Sequence, residues 1–192
     1  MKEKRVYSEG DWIVHSNYGM GKIKGSEVKA ISGEEKHYFR VETTDSVYWM
    51  PKDQMDSEIL RPLATPEEIQ QAIAVLKKPP IEMSSNYKMR QNRIQETRTL
   101  NTPKAIALLI RDLRALKRAK GILNSSERGS FYALKQQLAE EWAIVTGVPP
   151  ELITVKLDKL LELPQALSDG PNSVKTHQEP TLTKLPISTS PA

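Results

Sequence analysis

The first third of the chain alternates polar with apolar or aromatic residues at a period of two, as half-buried strands do. The runs that show this pattern cover residues 11–15, 22–28, 37–42 and 46–50. Gly19 and Gly21 supply the backbone freedom that a tight reversal needs, and Gly33 marks the next turn. Pro51 prevents the last run from continuing as a central strand. We predict four or five short strands that form a small, strongly bent, Tudor-like β-barrel.

After Pro62 the hydrophobic period changes to 3.6. Thr65 and Pro66 combine a helix N-cap with a proline in the first turn, and Ser84 or Ser85 can cap a second helix. Gly121 is suited to ending the third helix. The five predicted helices cover about residues 65–78, 86–99, 102–120, 124–146 and 149–161.

The tail after residue 162 has five prolines and no aromatic residue, a composition typical of disorder. The predicted fold class is therefore α+β, with a Tudor-like domain at 1–63, an all-helical domain at 64–162 and a disordered tail at 163–192. The sequence contains no cysteine, no signal-peptide pattern and no apolar run near the roughly 20 residues that span a bilayer. These features predict a cytoplasmic protein with no membrane association.

Basic residues are concentrated in one helical segment. Residues 88–120 contain ten Lys and Arg against two acidic residues, which gives a net charge of +8. Such a block is the electrostatic footprint of a protein that binds a phosphate backbone, although a solvated helix surface is the alternative. In the third helix Arg111, Arg114 and Arg118 recur on a different face from the apolar stripe. We predict that this helix is apolar inward and basic outward.

No arrangement of residues indicates catalysis. The three histidines are scattered, and the sequence has no metalloprotease, nucleophile-elbow or phosphate-loop motif. We therefore expect no enzymatic activity, no cofactor and no metal site.

Two aromatic positions have both a structural and a functional interpretation. Tyr48 and Trp49 are neighbours in a strand, so their side chains point to opposite faces and one is exposed unless both faces are covered. An exposed aromatic residue there marks a protein interface. Tyr87, beside Asn86, Lys88 and Arg90 at a helix start, either packs between helices or is presented to nucleic acid. Trp12 and Trp142 are predicted to be core residues.

An ordered set of short segments resembles the CarD family of bacterial RNA-polymerase-binding transcription regulators. The N-terminal half is similar to the polymerase-interacting module of transcription-repair coupling factors. The segments that carry the resemblance include Gly10-Asp-Trp-Ile-Val, Tyr48-Trp-Met-Pro51, Leu60-Arg-Pro62, Ser84-Ser-Asn-Tyr87 and Leu123-Asn-Ser-Ser-Glu-Arg128. The resemblance implies a sheet that docks on the polymerase β subunit and helices that contact the upstream edge of the promoter bubble, where they stabilise the open complex.

The resemblance also implies roles for individual residues. The family's two basic polymerase contacts fall on Lys29 and Trp49, of which only Lys29 is basic, and its minor-groove wedge tryptophan falls on Tyr87. The predicted polymerase contacts are therefore Lys29, Tyr48 and Trp49. Asn86 and Tyr87 are predicted to approach the minor groove, and Lys88, Arg90 and Arg93 to contact phosphates. Further DNA contacts are predicted for Arg111, Arg114 and Arg118.

The sequence thus predicts a monomeric, nucleoid-associated regulator that binds polymerase and promoter DNA, the latter through the minor groove and the backbone with weak sequence specificity. A Tudor-like protein-binding adaptor with nonspecific nucleic-acid-binding helices is the alternative.

Overall fold

The computed structural model of the chain describes residues 6–31, 34–57 and 59–162. Its N-terminal part is one antiparallel sheet in the order β4-β3-β2-β1-β5. The strands are β1 Trp12–His15, β2 Gly19–Ile31, β3 Glu34–Glu42, β4 Val47–Pro51 and β5 Leu60–Pro62. A 3-10 turn at Lys52–Gln54 follows β4. The five strands and the α+β class agree with the prediction.

The sheet is open, so the prediction of a barrel is wrong. β4 and β5 occupy the two edges, and no pairing between them joins the described strands into a closed ring. Closure would require hydrogen bonds between these edges, a non-local pairing that strand patterns do not specify. The predicted turn residue Gly33 and the predicted disordered tail lie outside the described residues.

Two glycines near the first turn have different roles. Gly19 has a φ of +72°, in the left-handed region, as the end of a tight reversal requires. Gly21 lies inside β2, where a Cβ atom would approach Val41 Cγ1 to 2.5 Å. Gly21 therefore permits close approach of β2 to β3, and the prediction that it serves the turn is wrong.

Five helices follow the sheet: α1 Pro66–Leu76, α2 Tyr87–Leu100, α3 Pro103–Lys120, α4 Ser125–Thr146 and α5 Pro150–Glu162. Their ends match the sequence signals closely, because these signals are local. Thr65 forms a capping box with Glu68, and Gly121 caps α3. For α2 the cap is Asn86, one residue beyond the predicted serines. None of the described helices is both long and apolar enough to cross a membrane.

The two parts have separate hydrophobic cores. Ile13, Ile23 and Val41 are central to the core of the sheet. The helices surround a larger core that includes Trp142, as predicted. Trp12 is only half-buried, so its assignment to the core was too strong. Because no apolar cluster includes residues of both the sheet and the helices, other contacts must join them.

Candidate interaction sites

Trp49 is the outward-facing member of the aromatic pair in β4. Its register partner is Arg40, whereas Tyr48 is opposite the fully buried Val41. Trp49 is 40% exposed, and Tyr48 packs half-buried against the core of the sheet. The prediction that these side chains point to opposite faces is confirmed.

Trp49 contacts Lys29 and Glu27 on the same face of the sheet. The Lys29 ammonium lies 3.3 Å from the centroid of the Trp49 ring, a cation–π contact. The indole Nε1 of Trp49 donates a hydrogen bond of 2.9 Å to Glu27 Oε2, and Lys29 Nζ lies 3.5 Å from the same oxygen. We call Glu27, Lys29 and Trp49 the Trp49 cluster. Glu27 was missed by sequence reasoning, because the β-bulge between Ile23 and Gly25 changes which residues of β2 face Trp49.

Tyr48, also predicted to contact polymerase, lies on the opposite face in an aromatic group with His15 and Tyr18. The Tyr48 and Tyr18 rings stack at 4.8 Å. Burial, assisted by the Tyr18 phenol, raises the pKa of Tyr48 to about 12. His15 Nδ1 accepts hydrogen bonds from the backbone N–H groups of Asn17 and Tyr18, and burial lowers the pKa of His15. This group stabilises the first turn, so the structure does not bring Tyr48 together with Lys29 and Trp49.

The start of α2 presents an exposed tip. Asn86 Oδ1 accepts hydrogen bonds from the backbone N–H groups of Lys88 and Met89, so its side chain is engaged as the cap. Tyr87 is 53% exposed, and Lys88 is also exposed. Tyr87 is therefore not enclosed between helices. We call Asn86, Tyr87 and Lys88 the α2 tip.

Arg90 is buried, and this corrects its predicted role as a phosphate contact. Arg90 Nε donates a hydrogen bond of 2.6 Å to Glu127 Oε1 on α4. Its Nη1 donates to the carbonyl oxygens of Ser84 and Ser85, at 3.0 and 2.8 Å. All these partners would be lost if the side chain turned outward. Arg90 therefore holds the start of α2 against α4.

Arg93 and Arg111 both bind Asp112, a carboxylate with no exposed surface. Arg111 is 3% exposed and also donates to the Val75 carbonyl oxygen at 3.2 Å. Asp112 Oδ1 further accepts the backbone N–H of Ile81 at 2.9 Å. The prediction that α3 is basic outward is therefore wrong for Arg111, and Arg93 is largely engaged in holding α2 on α3.

Arg114 and Arg118 remain near the surface, at the end of α3. Arg118 is exposed, and its Nη2 donates to the Leu161 carbonyl oxygen at 2.8 Å. Arg114 lies 3.9 Å from Glu162. The structure thus does not gather the eight predicted DNA-binding residues on one surface. The α2 tip forms one group near the surface, and Arg114 with Arg118 forms another.

Comparison with protein families agrees with the geometry of the sheet. Residues 7–64 match the model of the CarD-like/TRCF RID domain. No curated protein matches the chain. The matched range contains all five strands and ends just before α1. Residues 7–64 therefore form a CarD-like RNA-polymerase-interacting domain.

Proposed function

We propose that the chain is a transcription regulator that docks on the RNA polymerase β subunit through the Trp49 cluster and stabilises the open promoter complex through the α2 tip. The observation that carries the proposal is an exposed, oriented tryptophan on a CarD-like domain. The proposal requires no catalytic activity of the chain.

The Trp49 cluster has the properties of an interface anchor. Tryptophan is over-represented among residues that dominate binding energy. The hydrogen bond to Glu27 and the Lys29 contact restrain the indole before binding, which reduces the entropy lost on docking.

Replacing Trp49 by alanine in the full-length protein is expected to weaken polymerase binding by at least about 1 kcal/mol, roughly fivefold in Kd. The measurement is titration of labelled polymerase after nuclease treatment, which removes binding through nucleic acid. Val28→Ala is the matched control, because Val28 is more exposed than Trp49 and adjoins Lys29 on the other face of β2. Equal affinities for both variants would place the polymerase contact elsewhere on the sheet.

The α2 tip combines an aromatic ring with a cation at the start of a helix. A ring gains stacking and apolar contact at an unwound base step, whereas duplex DNA offers little until it is unstacked. Lys88 supplies a phosphate contact without reading sequence. Docking of the sheet raises the local concentration of the tip at the promoter, so weak DNA affinity is sufficient. Preference for unwound DNA then shifts the equilibrium towards the open complex by the difference between the two affinities.

Tyr87→Ala is expected to shorten the lifetime of the open complex and to leave binding to plain duplex nearly unchanged. Tyr87→Trp should match or exceed the wild type, because the larger indole stacks over more area. The measurement is competitor-challenged dissociation of polymerase from a fork-containing promoter. Tyr132→Ala is the control, since Tyr132 is equally exposed but lies on α4. A fork-independent loss in Tyr87→Ala, accompanied by a lower Tm, would assign Tyr87 to packing instead.

A further inference from the structure

A buried ion pair joins the last strand of the sheet to α4. Nη1 and Nη2 of Arg61, on β5, donate to Oε1 and Oε2 of Glu141 at 2.5 and 2.7 Å. The Glu141 side chain has no exposed surface, and that of Arg61 is 15% exposed. A bidentate pair of this kind fixes the relative orientation of its two partners as well as their distance.

The same pair also engages the junction between α2 and α3. Arg61 Nε donates to the carbonyl oxygen of Asn101, the left-handed residue that caps α2. Glu141 Oε1 also accepts the backbone N–H of Ala64 at 2.9 Å. One helical turn before Glu141, Gln137 Nε2 donates to Asn101 Oδ1 at 2.7 Å. We call Arg61, Asn101, Gln137 and Glu141 the Arg61 cluster.

No apolar core spans both the sheet and the helices, although Val14 and Met20 are buried on the face of the sheet that carries Arg61. The sheet and the helices have separate cores. Beside the cluster, a polar cleft of about 250 Å³ lies between the first turn of the sheet, the β3–β4 loop and α4. Because the bidentate contact between Arg61 and Glu141 is directional and an open cleft lies beside it, we expect the cluster to contribute strongly to the orientation of the sheet.

We infer that Arg61 and Glu141 are positioning residues that set the orientation of the α2 tip relative to the polymerase-interacting sheet. The cluster holds the C-terminal end of α2, and Tyr87 lies at the other end of this 14-residue helix. At 1.5 Å per residue, α2 is about 21 Å long, so a rotation of the assembled helices by about 10° about the cluster, relative to the sheet, moves Tyr87 by about 4 Å. The positioning role in the open complex rests on the proposed function, whereas the effect on orientation does not.

The orientation is tested by measuring distances between two spin labels. The chain has no cysteine, so Val28→Cys and Met89→Cys, both at exposed positions, give one label on the sheet and one near the α2 tip. We expect a single narrow distance distribution in the parent protein and a broad or shifted one in Glu141→Gln, whose amide cannot accept both Arg61 donors.

Leu157→Ala is the control for general destabilisation, because Leu157 is fully buried in the helical core and distant in sequence from the cluster. Its Tm should fall while its distance distribution stays narrow. Arg61→Lys should behave like Glu141→Gln, because lysine keeps the positive charge but lacks the two parallel N–H donors of the guanidinium. If both cluster variants keep the narrow distance distribution of the parent, the inference is overturned, regardless of whether the protein binds polymerase.

The functional part is tested at saturating full-length protein. Glu141→Gln should retain its affinity for polymerase and lose at least about threefold in open-complex lifetime. The reason is that the α2 tip reaches the DNA only if it is correctly oriented relative to the docked sheet. An unchanged lifetime together with a broadened distribution would overturn the positioning role. If the wild-type protein itself neither binds polymerase nor prolongs the complex, the proposed function fails, and the distance measurement still decides the structural part.

Discussion

Asp112→Ala is expected to lower the free energy of unfolding by about 3–5 kcal/mol, the range found when one partner of a buried ion pair is removed. The substitution leaves Arg111, which is almost fully buried, without its carboxylate. It also removes the acceptor of the Ile81 backbone N–H and the partner of Arg93. The measurement is urea-induced unfolding followed by circular dichroism.

Asp158→Ala provides the matched control for Asp112. Asp158 pairs with Lys135 at 2.5 Å, but its side chain is half exposed, so water replaces the lost contact. We expect that variant to lose less than about 1 kcal/mol. Similar losses in the two variants would show that the Asp112 group contributes no more than an exposed pair.

The ion pair between Arg90 and Glu127 is expected to show strong coupling in a double-mutant cycle. Arg90→Met leaves a buried carboxylate, and Glu127→Gln leaves a buried guanidinium, so each should cost about 3–5 kcal/mol. Glutamine can still complete the capping box with Asn124, so Glu127→Gln isolates the ion pair from the cap. The double variant should cost less than the sum of the two single variants.

Chemical denaturation of the three variants measures this coupling. Additive losses would mean that the two side chains stabilise the protein independently. The cycle also tests the revised role of Arg90, since a solvent-exposed phosphate contact could be replaced with little effect on stability.

Local signals in the sequence predicted the elements well, and long-range partners account for the errors. Thr65, Thr102 and Gly121 fix helix ends through atoms within one turn. The alternation in β4 likewise put Tyr48 and Trp49 on opposite faces, although only the structure shows that Trp49 is the outward one. By contrast, the position of Gly21 depends on its closeness to Val41, 20 residues away, which no local pattern contains.

The basic block shows the same limit more clearly. Counting charges along residues 88–120 treats every arginine as exposed, yet the carboxylate that pairs with Arg90 lies 37 residues away on α4. α2 contributes few apolar side chains to the core, among them the fully buried Ile94. Its arginines therefore help to hold α2 against α3 and α4. In a helix that is both basic and poor in apolar residues, an arginine can either form a buried ion pair with another helix or remain exposed to a partner. Only the tertiary structure shows which of these roles a given arginine has.

Because some of the cations are exposed and others are buried, salt should affect DNA affinity and folding stability differently in this protein. In the DNA complex proposed above, the number of counterions released depends on the cations that reach phosphates, so exposed Lys88 would contribute to the salt slope and buried Arg90 and Arg111 would not. Buried pairs are also screened far less than exposed charges, whose interactions decay over about 8 Å at physiological salt. Raising the salt concentration should therefore weaken the proposed DNA contact while leaving the helices assembled.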